Sequence, residues 1–196
     1  MHRTDTRKSK VETVSTEPQA SECSLIAHVL EFVGENPERE GLKETPKRYL
    51  KFLKEVTSCP EFNLTTFENE GGEDMIVQTD IPFYSLCEHH MVPFFGTACV
   101  AYLPKKRIVG LSKLARIVEK YSRKLQNQER ITFQIAEELS ETLDCGGVAV
   151  VMKARHLCME MRGVRKAGAT TTTSRMVGAF LDDPSAKSEV LKLFHG

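Results

Sequence analysis

Apolar residues recur along this chain at two different periods. Leu25, Ile26, Val29, Leu30 and Val33 fall on one side of a 3.6-residue repeat, which predicts a helix over about Ser24 to Glu35, ended by Asn36-Pro37. Thr45-Pro46 reads as a cap followed by proline at the first helical position. Tyr49, Leu50, Leu53 and Val56 carry the stripe of that second helix. Glu61 to Asp74 is acidic, contains Gly71-Gly72, and reads as a loop. Strand-like runs follow at Met75 to Thr79 and Thr97 to Leu103, with a turn at Pro104-Lys105-Lys106 before Ile108-Val109. Two helical stripes come next, one through Leu114, Ile117, Val118, Tyr121 and Leu125, the other through Ile131, Ile135, Leu139 and Leu143. The apolar run Val148 to Met152 suits a strand covered on both faces. Thr170 to Met176 is rich in β-branched residues and reads as a last strand, and Pro184 opens a terminal helix.

The order is two helices, two strands, two helices, two strands, one helix. Elements that do not alternate singly point to an α+β domain with an antiparallel sheet and helices on one face. The edges of such a sheet are able to pair with another subunit. The 196 residues suffice for one domain with a sizeable core. Met1 to Glu22 is polar, mixes acidic with basic residues, and reads as a flexible tail.

Charge narrows the function classes. The 27 basic and 27 acidic residues cancel, which argues against broad binding to nucleic acid or a membrane surface but leaves room for a local basic pocket. No apolar run is long enough for a transmembrane helix, and the amino-terminal residues lack the apolar stretch of a secretory signal. A reducing cytoplasmic setting follows as the expectation. There the six cysteines serve as buried, catalytic or metal-bound thiols.

The densest chemistry is Cys87-Glu88-His89-His90. Cys87 and His90 are three residues apart, close enough for one turn to offer a thiolate and an imidazole to a single ion, a pair that suits zinc. Cys158, preceded at two residues by His156, is the obvious third ligand. Three protein ligands leave a fourth position for water, as in catalytic zinc sites. Spacing alone leaves two other readings open: ordinary buried thiols, or a disulfide between Cys87 and Cys158. His89 and His156 remain for proton transfer or for orienting the ligands, and Glu88 suits the latter task as well.

A second constellation is basic. Gly110-Leu111-Ser112-Lys113 opens a helix, with Ser112 the expected cap and with Lys113 and Arg116 expected in the first turn. Cations there oppose the helix dipole unless an anion binds, so the segment reads as a phosphate site. Arg162-Gly163-Val164-Arg165-Lys166 lies four residues beyond Cys158 and reads either as part of the site or as a solvated turn. Gln128-Glu129 lies between the two central helices. Its carboxylate suits paired N–H donors, such as those on a guanine edge, or simply a helix start.

Taken in order, these segments resemble the GTP cyclohydrolase I family over about Pro37 to Phe194. The resemblance rests on Glu38-Arg39-Glu40-Gly41-Leu42 with Thr45-Pro46, and on Ser85-Leu86-Cys87-Glu88-His89-His90 with Pro93-Phe94. It also rests on Gly110-Leu111-Ser112-Lys113 with Arg116-Ile117-Val118, on Gln128-Glu129-Arg130, and on His156-Leu157-Cys158-Met159 with Met161-Arg162-Gly163. It implies Zn2+ held by Cys87, His90 and Cys158, and guanine recognition by Glu129 with Gln128 beside it. It implies the triphosphate against Ser112, Lys113, Arg116 and Arg162, and proton transfer by His156 and His89, with Ser112 assisting. The implied reaction opens the imidazole ring of GTP, releases formate and yields 7,8-dihydroneopterin triphosphate, which feeds folate, tetrahydrobiopterin or deazaguanine synthesis. The implied fold is a tunnelling-fold domain over residues 75–196, a four-stranded antiparallel sheet with two helices on one face, preceded by a helical segment over 23–74. The implied assembly is a homodecamer of two rings with active sites between subunits. Thr97, Cys99 and Arg165-Lys166-Ala167 depart from the commoner residues of the family, away from the positions assigned to chemistry. Two competing readings are a nitrile reductase on the same fold, which needs a nucleophilic cysteine and NADPH, and a zinc-stabilised binding or regulatory module.

Overall fold

A computed structural model describes residues 18–72 and 75–195; most of the expected amino-terminal tail lies outside them. The chain divides into two compact units, Met1–Glu55 and Val56–Gly196. In the first, α1 spans Ala20–Phe32 and α2 spans Thr45–Val56, its last residue entering the second unit. Helix α1 starts earlier than its apolar stripe because the Glu22 carboxylate accepts from the Gln19 N–H at 2.9 Å. It also stops before Asn36-Pro37. Gly34 takes φ +87°, a left-handed conformation that ends helices, and its N–H closes onto Glu31. No residue of α1 is buried, and Phe32 is 90% exposed.

The second unit continues with β1 (Thr66–Glu68), β2 (Ile76–Cys87), β3 (Pro93–Pro104), β4 (Arg107–Val109), α3 (Leu111–Ser122), β5 (Leu125–Gln126) and α4 (Gln128–Thr142). After these come β6 (Cys145–His156), α5 (Leu157–Glu160), β7 (Thr170–Gly178), α6 (Ala179–Asp182) and α7 (Pro184–His195). The main sheet has the order β5-β2-β3-β6-β7. Its four long strands are antiparallel, as expected. The two-residue β5 adds a parallel rung against Leu86 and Cys87.

Helices α3 and α4 cover one face. Their stripes, Leu114, Ile117 and Val118 with Ile131, Ile135 and Leu139, pack on Phe94, Val100, Tyr102, Val148, Val150 and Met152, all fully buried. Burial of that apolar surface is the main term holding the unit together. A smaller cluster on the other face joins Ala101, Ala149, Met176, Phe180 and Val190, so α6 and α7 close that end of the sheet.

Strands β1 and β2 differ from the sequence expectation. Segment 66–68, expected as loop, pairs with β4, and Arg107 donates to the Thr66 hydroxyl and carbonyl. Three residues are too few to show a period. Strand β2 runs on to Cys87 because a bulge at Thr79-Asp80, with Asp80 at φ 54°, hides two halves of one strand. Strands β3 and β6 approach so closely that a Cβ on Gly96 would lie 1.9 Å from the Lys153 carbonyl oxygen, so only glycine fits there. Among the described residues, no helix is long and apolar enough to cross a membrane.

Candidate metal and proton-transfer site

Strand β2 ends on Cys87, and the chain then turns tightly. The His90 and Met91 N–H groups both return to the Cys87 carbonyl, with Met91 at φ 53°. That turn aims His90 Nδ1 at Cys87 Sγ, 3.7 Å away. Strand β6 lies two positions across the sheet and ends on His156, so the short helix α5 carries Cys158 to the same place. One donor atom from each of Cys87, His90 and Cys158 lies within 4.8 Å of the others. All six cysteines are free, so neither thiol is spent on a disulfide.

Two thiols and an imidazole are borderline-soft donors that fit zinc; a magnesium or calcium site would present oxygens. Burial, and then the facing Cys87 thiol, push the Cys158 thiol above its ordinary range. The Cys158 thiol therefore resists ionising unless a cation sits beside it. His89 Nδ1 also stands 3.7 Å from Cys87 Sγ, while its side chain is 67% exposed. Arg162 Nη1 lies 2.9 Å from His90 Nε2.

His156 has a different setting. Its ring stacks on Phe94 with centroids 4.7 Å apart and planes 4° from parallel. Its Nε2 lies 2.8 Å from Gln128 Oε1. Burial lowers its pKa, partly opposed by Glu129. Gln128 and Glu129 open α4; the first is 1% exposed and the second is exposed.

Glu88 is tied to that same helix start. Asn127 Nδ2 donates to it at 2.9 Å, and Arg130 donates through both terminal nitrogens. Those bonds, from Arg130 first, hold the carboxyl below its usual range. Sequence reading did not foresee this clamp, although Asn127 is legible as a helix cap: its Oδ1 accepts from the Arg130 N–H. Phe94 and the threonines behind Gln128 were likewise missed, because stacking across strands leaves no local pattern.

The basic constellation lies elsewhere in the chain. Gly110, not Ser112, is the N-cap of α3, and no side chain caps that helix start. Ser112 is the second helical residue and exposed, and Arg116 is in the second turn. Lys113 Nζ stands 5.9 Å from the Phe62 ring centre, a cation–π contact. The Val109 N–H reaches the Tyr102 hydroxyl, and Tyr102 pairs with Ile76 at the far end of β2 from Cys87. The other end of α3 approaches the thiol cluster, since the Lys124 carbonyl accepts from Leu86 N–H at 3.4 Å and from Ser85 at 3.3 Å. Ser112 and Lys113 are thus separated from Cys87 by about 18 Å, the length of a 12-residue helix. The fold brings together Cys87, His89, His90, Gln128, His156, Cys158 and Arg162, with Glu129 adjoining. It does not bring Ser112, Lys113 and Arg116 to them.

The chain is similar to known proteins over most of its length. Residues 23–195 match the model of the family described as GTP cyclohydrolase I. The chain is 51% identical over 181 residues to the GTP cyclohydrolase 1 of Synechococcus sp. (strain JA-2-3B'a(2-13)), covering 88% of this chain and 79% of that protein. It is 53% identical over 167 residues to that of Sulfurihydrogenibium sp. (strain YO3AOP1), covering 85% and 89%. It is 49% identical over 176 residues to that of Halalkalibacterium halodurans, covering 87% and 94%. Among solved structures, the archaeosine synthase QueF-Like in the apo form superposes on 54% of this chain, with a TM-score of 0.46 and 13% identity. A match over nearly the whole described chain, carried by an antiparallel sheet with two helices on one face, is decisive: the chain belongs to the GTP cyclohydrolase I family, hydrolases built on the tunnelling fold.

Proposed function

We propose that the chain is a zinc-dependent enzyme acting on GTP. It opens the imidazole ring, releases formate and rearranges the remainder to 7,8-dihydroneopterin triphosphate, the first step of pterin- and folate-type biosynthesis. The observation that carries this reading is the convergence of Cys87, His90 and Cys158 within 4.8 Å, next to a half-buried histidine held by its own partners. Those three residues would hold the zinc. The ion supplies a Lewis acid that brings the pKa of a water towards neutrality.

The chain's own groups do the rest. His156 passes a proton to the ring nitrogen as water adds at C8, the role its sheltered ring suits. The formamide that results takes up a second water and leaves as formate. His89 and Ser112 assist the ribose rearrangement, and ring closure returns one water. Glu129 recognises the guanine edge, with Gln128 next to it in the chain, while Lys113, Arg116 and Arg162 take the triphosphate as charge-assisted donors.

The separation of Ser112, Lys113 and Arg116 from the thiol cluster favours a site shared between copies. Strand β7 is one edge of the sheet, and an edge of nine residues is free to extend into a neighbour's sheet. A homo-oligomer follows, in our reading a decamer of two rings with active sites between subunits, cytoplasmic, with no nucleic-acid or membrane partner. Residues 75–196 form its catalytic domain, behind a helical segment over 23–74.

Anaerobic incubation of zinc-loaded protein with GTP tests the reading, with formate and, after oxidation, pterin fluorescence as readouts. Both products are expected. Neither product, with zinc bound stoichiometrically and the oligomer assembled, would overturn it and point to a binding module.

A further inference from the structure

Behind His156 lies a polar network that the family comparison does not assign. Gln128 is buried, and its amide nitrogen lies 3.0 Å from the Met152 carbonyl, 3.1 Å from the Thr171 carbonyl and 3.1 Å from the Thr173 hydroxyl. Carbonyls only accept, so the nitrogen of the amide must face them. Its oxygen then faces His156 Nε2 at 2.8 Å. That oxygen cannot donate, so Nε2 must carry the hydrogen.

The donors run in one consistent direction. The Thr132 hydroxyl donates to the Gln128 carbonyl at 2.8 Å, so in the 2.6 Å contact between the two threonine hydroxyls Thr173 is the donor. Thr173 in turn accepts from the Gln128 amide. Met152 and Thr173 are paired across β6 and β7, so the amide is held by the sheet itself. Rotating it would set its oxygen against two carbonyl oxygens and leave those buried acceptors without their donor. Phe94 fixes the plane of the imidazole from one side.

We infer that Gln128 is a positioning residue: its buried amide holds His156 with the hydrogen on Nε2, so that Nδ1 is the nitrogen that takes up a proton and passes it on. Gln128 thus acts through His156 and not on the guanine. This rests on the reading of His156 as the proton-transfer residue.

The test uses the full-length, zinc-loaded protein labelled with 15N-histidine. Long-range 1H–15N correlation spectra are compared with those of His156→Asn to assign its signals among the six histidines. Protonation at Nε2 in the wild type is expected; an Nδ1–H tautomer overturns the inference without any Gln128 variant having to fold. In Gln128→Met, of similar shape, the tautomer preference should be lost. Its kcat should fall about 10- to 100-fold, with KM for GTP and zinc content within about twofold of wild type, the scale of losing a partner that orients a functional histidine. A raised KM with kcat kept would place the amide on the substrate and sink the proposal. If the wild type makes no formate from GTP, the functional reading fails, whereas the tautomer still reports whether the Gln128 contact is as described.

Discussion

The Tyr102 hydroxyl accepts a hydrogen bond from the Val109 N–H at 2.9 Å, inside a core where Tyr102 is fully buried. Burial raises the phenol's pKa, so it stays neutral. The bond anchors the residues leading into α3 at one end of the sheet, while Cys87 closes the other. Tyr102→Phe leaves the Val109 N–H buried without an acceptor. Urea unfolding of the assembled protein should show a loss of about 1–3 kcal/mol. An unchanged midpoint would mean that the amide finds another partner.

That separation makes a prediction about assembly. Arg116→Ala should raise KM for GTP about 10- to 100-fold, the scale of losing one hydrogen bond to a charged group, with a smaller effect on kcat. Mixing it with Cys158→Ser under conditions that exchange subunits, assayed at GTP well below the KM of the Arg116 variant, should restore about a quarter of the wild-type rate, because shared sites then form with both residues intact. No recovery, with exchange demonstrated by mass, would mean that each chain carries its site whole.

Cys158→Ser, taken alone, should lose stoichiometric zinc and nearly all formate release. A chelator should do the same to the wild type while the oligomer stays assembled, as expected of an ion with an open position. Metal content by elemental analysis and mass by light scattering decide it. Retention of both zinc and full turnover in Cys158→Ser would remove Cys158 from the ligand set.

Cys99 gives a pH dependence of known sign. Burial, aided by Asp80, pushes its thiol up to about 11. The folded protein therefore keeps a proton that the unfolded chain releases above about 8.5. Stability falls as pH rises between those values, because the unfolded state binds fewer protons there. Relative to Cys99→Ala, the wild type should lose stability across that window, and native Cys99 should resist alkylation at pH 8. Parallel pH profiles for the two proteins would contradict the account.

Gly96→Ala should be among the most damaging single changes in the sheet. Its Cβ would also meet the Ala154 Cα at 2.7 Å, so β3 and β6 would have to part. A loss of about 4 kcal/mol or more is expected, seen as a fall in soluble, folded protein. Near-normal yield and melting temperature would mean that the strands shift to admit the methyl group.

Much of this molecule was legible in one dimension. The stripes of α3 and α4 and the β-branched run of β7 set the α+β class, since the periods of 3.6 and 2 decide which faces are apolar. Cys87 and His90 could be paired from their spacing because a single turn joins them. The sequence could not tell whether Cys158 joined them as a ligand, as an ordinary buried thiol or through a disulfide. That depended on the end of β6 arriving two strands away, which the β2–β3 and β3–β6 registers decide. Nor could it separate Gln128 from its neighbour Glu129. Whether a side chain at a helix start turns into the core or out to solvent depends on which carbonyls and hydroxyls the sheet brings beneath it. The distance between the phosphate-type residues and the thiols was also a tertiary matter, because chain order says nothing about which end of a sheet a helix begins at.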